Sequence, residues 1–165
     1  MTKCAAVQMA SSPNLEANLI EAGRLIAEAA QSGARLIVLP ENFALMGMTE
    51  FDKLDYREAP GDGPIQSFLS ARSKQHGVWL VGGTIPLVAH SESKIRAAAL
   101  VYNDQGEAVA RYDKIHLFDV DVPDTNEKYR ESDTIEAGEG SLVVDTPLGK
   151  LGVAVCYDLR FPELF

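Results

Sequence analysis

The first forty residues predict an α/β fold, a sheet covered on its faces by helices. Three observations carry this. Residues 4–9 (CAAVQM) and 36–39 (LIVL) are short, largely apolar runs suited to buried strands. Between them apolar residues recur at Leu15, Leu19, Ala22, Ile26 and Ala29, the three-and-four spacing of one helix face. Strands apolar along their length are buried on both sides, as in sheets flanked by helices.

Each element has a local reason. Ser11 to Asn14 is a turn, and Asn14 or Ser12 can cap the helix that follows, with Glu16 favourable in its first turn. Gly33 is the expected helix stop, and Pro40 ends the second strand. The dense turn signal Pro60-Gly61-Asp62-Gly63-Pro64 precedes a second amphipathic helix over 65–76, with Ile65, Phe68, Leu69 and Arg72 on related faces. Residues 78–86 read as a strand whose paired glycines, Gly82 and Gly83, predict a bulge or a close backbone approach. Residues 94–103 and 107–112 form a hairpin around Asn103-Asp104-Gln105-Gly106. Residues 113–140 are polar and rich in turn residues, a long loop of the kind that is functional or disordered. A second hairpin pairs 141–145 with 150–155. Residues 160–165 read as the first turn of a helix, with Pro162 near its start. A helix needs several turns to be stable. The expectation is therefore one domain over 1–165, incomplete at its C-terminus.

Composition bounds the function. With 46% hydrophobic and 24% charged residues the chain is ordinary for a soluble globular protein. A net charge of −9 argues against nucleic acid and against anionic membrane surfaces. The N-terminus has no apolar signal-peptide core, and no apolar run approaches the roughly 20 residues of a membrane span. Cys4 and Cys156 are far apart and have neither disulfide-framework nor zinc spacing, so a reducing, cytoplasmic setting is expected. Cys4, in an apolar run, reads as a buried structural cysteine.

Three polar residues stand where apolar runs end. Glu41 follows LIVLP, Lys114 follows EAVARYD, and Cys156 follows LGVAV. Singly, each has a plain reading: a solvated carboxylate or helix cap, a surface lysine, a small buried hydrophobe. Strand-end side chains of an open sheet, however, converge on one crevice, and as a set these three have a chemical logic. A cysteine thiol has a reference pKa of about 8.5, so little thiolate exists at neutral pH. A carboxylate can take its proton during attack on a carbonyl. A lysine ammonium favours the thiolate and stabilises the oxyanion that forms. The backbone N–H of Tyr157 is a second oxyanion donor, and loss of one such donor typically costs about 2.7–4 kcal/mol. The histidines, His76, His90 and His116, form no evident pair with a cysteine. Asp158, Arg160 and Glu163 read as charge pairs that fix the turn presenting Cys156; Arg160 has the alternative of binding a substrate carboxylate.

VLPENF, RYDKIHLFD and GVAVCYDLRFPELF resemble the three catalytic signatures of the nitrilase superfamily of carbon–nitrogen hydrolases, in the family's order and across the whole chain. The resemblance implies Glu41 as general base, Lys114 as oxyanion-stabilising acid and Cys156 as nucleophile. It implies a second glutamate between lysine and cysteine, matched by Glu131, with Glu127 as the nearby competitor. It implies hydrolysis of a small-molecule amide through a cysteine thioester, with neither metal nor cofactor. KIHLFDVDVP and YRES look most like the branch of deaminated-glutathione amidase and omega-amidase. The implied fold is a four-layer α-β-β-α sandwich with its C-terminal portion missing, and the implied assembly a homo-oligomer, dimeric in the complete domain. Two rival readings stand beside it: a catalytically incompetent association module, and a thiol redox sensor. The second is disfavoured by the acidic surroundings of Cys156, because cations rather than anions lower a thiol pKa.

Overall fold

A computed structural model describes residues 2–123 and 127–165. Its centre is a five-stranded sheet in the order β1-β2-β3-β4-β5, built from β1 (Lys3–Ala6), β2 (Ala34–Val38), β3 (Trp79–Val88), β4 (Ile95–Tyr102) and β5 (Ala108–Asp113). The first three strands are parallel and the last three antiparallel. Helices α1 (Leu15–Gln31) and α2 (Pro64–His76) cover one face. Ala22 and Ile26 of α1 and Ile65 and Leu69 of α2 are fully buried against Ile37, Leu80, Leu87 and Ala98. Each fully buried large aliphatic side chain is worth roughly 1.5–3 kcal/mol.

The helix ends follow their local chemistry. Asn14 caps α1, its side chain accepting from the Ala17 N–H at 3.0 Å. Gly63 precedes α2 at the capping position and has no side chain to cap it. The buried Glu58 does so from outside the helix, accepting from the N–H groups of Ile65 (2.6 Å) and Gln66 (3.1 Å).

The other face of the sheet is covered by the hairpin of β8 (Leu142–Thr146) and β9 (Gly149–Val153). Val144, Leu151 and Val153 pack on Leu36, Val81 and Val101. Helix, sheet and hairpin are three layers of the expected sandwich; among the described residues no helix covers the hairpin's outer face. Val143 of the hairpin is exposed, as are Leu159 and Phe165 in the chain that follows it. The hairpin does not reach β1. Cys4 pairs with Leu36 from the edge strand and is exposed, not buried as its apolar run suggested.

Two sequence readings change in detail. The stretch 113–140 is not one loop: β6 (Asp119–Val122) and β7 (Glu127–Arg130) form a small antiparallel hairpin within it, followed by a 3-10 turn over Glu131–Asp133. The part of the predicted loop at 124–126 lies outside the described residues. The chain's last residues form two 3-10 turns, Cys156–Arg160 and Pro162–Leu164. Among the described residues, no helix is long and apolar enough to cross a membrane.

Candidate active site

The site is built where β2, β5 and β9 end. After β2 the chain makes a tight turn in which Phe43 N–H donates to the Pro40 carbonyl at 3.2 Å and Asn42 adopts φ 55°. Asn18 of α1, buried, stitches this turn to the helix layer, donating to the carbonyls of Ser12 (2.7 Å) and Ala44 (2.8 Å). Asn42 N–H donates to Thr84 Oγ1 at 3.0 Å. These bonds fix the backbone that carries Glu41.

The turn also needs the paired glycines of β3. The strand register shifts between Gly82 and Ile85, as the sequence predicted. A Cβ on Gly82 would lie 2.5 Å from Leu69 of α2, and one on Gly83 would lie 2.0 Å from the Pro40 carbonyl oxygen. One glycine admits the helix layer and the other admits the Glu41 turn.

Lys114 leaves the end of β5 with its N–H on the Ala97 carbonyl at 3.0 Å. Its side chain is fully buried. The ammonium donates to Glu41 Oε1 at 2.9 Å and to Glu131 Oε1 and Oε2 at 3.0 and 2.8 Å. Burial by itself disfavours the charged amine, but its hydrogen bonds to the two carboxylates, and their negative charge, outweigh it and hold the Lys114 pKa above its ordinary value. Glu131 is fixed in turn by the Phe118 N–H, which donates to Oε2 at 2.8 Å. Glu127 lies exposed on β7, accepting from the Tyr129 hydroxyl at 3.1 Å, away from the lysine.

Cys156 follows β9 and opens a 3-10 turn with φ 50°. A non-glycine residue in that region stores strain of about 1–3 kcal/mol and persists only where its surroundings enforce it. Cys156 and Glu41 line one cavity of about 120 Å³, walled by Val38, Val81 and Val153. Cys156 is exposed, not the small buried hydrophobe of the plain reading, yet partial enclosure of its thiol pushes the pKa up, and the charge and hydrogen bond of Glu41 push the same way, with a smaller effect from Glu131; Lys114 opposes them and does not win. Tyr157 is the second residue of the turn, where N–H groups have no intrahelical partner. A larger cavity, about 530 Å³, lies between α2 and β5 and contains none of these residues.

Glu41, Lys114, Glu131 and Cys156 are thus brought together. Arg160 and Glu163 are not: both are exposed and form no ion pair among the described residues. The expected charge pairs around the turn reduce to Asp158, which is fully buried. Sequence reasoning missed its partners, Tyr112 and His116. The signal was present, because Tyr112, Lys114 and His116 are spaced by two, the period at which an extended chain presents one face. Among the described residues no cluster of His, Cys, Asp and Glu is placed to hold a metal ion.

A buried ammonium thus stands between two carboxylates, beside a strand-end cysteine on a strained turn. The carbon–nitrogen hydrolase model matches residues 3–165, and the chain belongs to that family. It is 42% identical over 162 residues to a deaminated glutathione amidase of Yersinia enterocolitica, covering 98% of this chain and 56% of that protein. It is 40% identical over 167 residues to omega-amidase NIT3 of Saccharomyces cerevisiae, covering 98% and 57%. The C. elegans NitFhit protein superposes with a TM-score of 0.86 at 31% identity, over 98% of this chain and 39% of that one. The chain spans about half the length of the curated relatives it matches.

Proposed function

We propose that this domain hydrolyses a small-molecule amide to a carboxylate and ammonia through a thioester on Cys156. The observation that carries the reading is the Lys114 ammonium, fully buried between Glu41 and Glu131, beside a cavity that Glu41 and Cys156 share. The thiol, raised in pKa, keeps its proton until a substrate carbonyl arrives. As the sulfur attacks, the proton passes to Glu41, and the oxyanion is met by Lys114 and the Tyr157 N–H. Glu41 returns the proton to the departing nitrogen, ammonia leaves, and a thioester remains. Water then attacks the thioester, giving its proton to Glu41, and the thiol is restored as the acid departs. Glu131 holds Lys114 in place and keeps it charged.

The substrate reading is an amide of a dicarboxylic or peptide-like acid, of the deaminated-glutathione type, with omega-amidase substrates as the alternative. Its support is the naming of the similar proteins. A reducing, cytoplasmic setting fits two unpaired cysteines, one of them the nucleophile. The exposed Leu159 and Phe165, in the turns that follow the nucleophile, favour self-association, which sedimentation equilibrium or light scattering would read directly.

The test is ammonia release from a panel of monoamides of dicarboxylic acids, with Cys156→Ala as the control. Release that disappears in the variant supports the reading. No release from the unaltered chain on any panel member rejects the claim that these residues by themselves are a hydrolase.

A further inference from the structure

We infer that Asp158 is a positioning residue that holds Lys114 and Cys156 at a fixed separation, an inference that rests on the reading of Cys156 as nucleophile. Its carboxylate is fully buried and each oxygen receives two donors. Oδ2 accepts from the Tyr112 hydroxyl at 2.6 Å and the Val155 N–H at 2.8 Å. Oδ1 accepts from the His116 N–H at 3.0 Å and from His116 Nδ1 at 2.7 Å, so Nδ1 carries the ring proton.

The positions of these donors are the argument. Tyr112 and His116 bracket Lys114, two residues on either side. Val155 and Asp158 itself bracket Cys156. One carboxylate therefore ties the segment bearing the lysine to the segment bearing the cysteine, although they lie more than forty residues apart, as the Tyr112–Asp158 separation of 46 shows. The His116 ring is clamped a second time, stacked on Phe161 with centroids 3.7 Å apart and planes 8° apart. Phe161 N–H donates to the Asp158 carbonyl at 3.0 Å, which closes the turn. The left-handed backbone of Cys156 thus sits between two anchored neighbours, and this is what enforces its strain.

Burial alone would favour a protonated Asp158, but hydrogen bonds from Tyr112, Val155 and His116 hold its pKa below the ordinary value, so it is a carboxylate at neutral pH. Asp158, fully buried, is not among the residues lining the cavity that Cys156 and Glu41 share, so it acts through the backbone and not on the substrate.

The test is the pH midpoint of native Cys156 alkylation in the full chain, with the urea-unfolded chain as reference. Glu41, Lys114 and Glu131 are the charged groups that face the thiol; burial and the two carboxylates hold its pKa above the ordinary value against the opposing pull of Lys114. A turn released from Asp158 carries the thiol away from all of them. Asp158→Asn is therefore expected to move the midpoint to lower pH, toward the unfolded reference, and Tyr112→Phe to move it the same way by less. A downward shift of one unit raises reactivity below the midpoint about tenfold. Far-UV circular dichroism and the urea midpoint, recorded alongside, show that each variant is folded where alkylation is read. If Asp158→Asn does not fold, Tyr112→Phe decides. A folded variant with the unaltered midpoint overturns the positioning role. Alkylation needs no amide substrate, so shifted midpoints in a chain without ammonia release reject the hydrolase reading alone, and ammonia release with unmoved midpoints rejects the positioning role alone.

Discussion

The carbonyl oxygen of Pro40 rests against Gly83, so close that a Cβ on Gly83 would lie 2.0 Å from it. Glu41 is the next residue, so the site carboxylate depends on the absence of a methyl group on a neighbouring strand. Gly83→Ala must displace either the β3 bulge or the Glu41 turn. The expected cost is about 1–3 kcal/mol of stability from backbone strain, read by urea unfolding. Where ammonia release is measurable, it falls about a hundredfold, as misplacement of a reacting group by roughly 1 Å does. Gly149→Ala is the control: its φ of 118° also disfavours alanine, but a Cβ there meets nothing within 4 Å. It should lose stability without the same loss of activity.

Lys114→Ala removes the cation between two carboxylates. Breaking a buried ion pair by deleting one partner typically costs about 3–5 kcal/mol, and Lys114 is fully buried. The variant should unfold at clearly lower urea concentration and release no ammonia. Its Cys156 alkylation midpoint should rise, because the one group that lowers the thiol pKa is gone. That direction is opposite to the one expected for Asp158→Asn, so the two variants together separate a lost charge from a lost position.

The pKa shifts set two pH edges for stability. The Cys156 thiol is raised in the folded chain, so its contribution is fully present below the unfolded value of about 8.5 and is lost as pH rises through the folded value. Asp158 is lowered, so its contribution is present above the unfolded value of about 3.9 and is lost as pH falls through the folded one. Urea midpoints measured across pH should decline at both ends. Cys156→Ala should flatten the alkaline decline and leave the acid one. An alkaline decline of equal slope in the variant would assign it to other groups.

Glu58→Ala tests the remote cap of α2. It leaves the buried N–H groups of Ile65 and Gln66 without their acceptor, at an expected cost of about 1–3 kcal/mol. The site residues lie across the sheet from α2, so the alkylation midpoint of Cys156 should stay where it is in the unaltered chain.

The local rules were readable in the chain. Asn14 caps α1, Gly82 and Gly83 interrupt β3, and both apolar hairpins form around their turn residues, because each of these features depends on near neighbours in sequence. The β6–β7 hairpin was hidden because its strands are mostly exposed and carry no apolar run; the Asp-Val-Asp-Val alternation of 119–122 was its trace. Cys4 was misread because an apolar run does not reveal whether a second layer reaches its strand, and here the β8–β9 hairpin stops short of β1.

The sequence by itself determined the chemical inventory: a carboxylate, an amine and a thiol, each placed where an apolar run stops, in an order that resembles one family. Only the tertiary structure decided how they meet. Glu41 and Lys114 are 73 residues apart and leave strands separated by two others, so their 2.9 Å contact requires the strand order, the β3 bulge and the turn at Pro40 all at once. The same holds for Asp158, whose four donors come from three residues in two segments about forty residues apart in sequence. Side-chain type is written in the chain directly, whereas a distance between segments is the sum of every packing contact that lies between them.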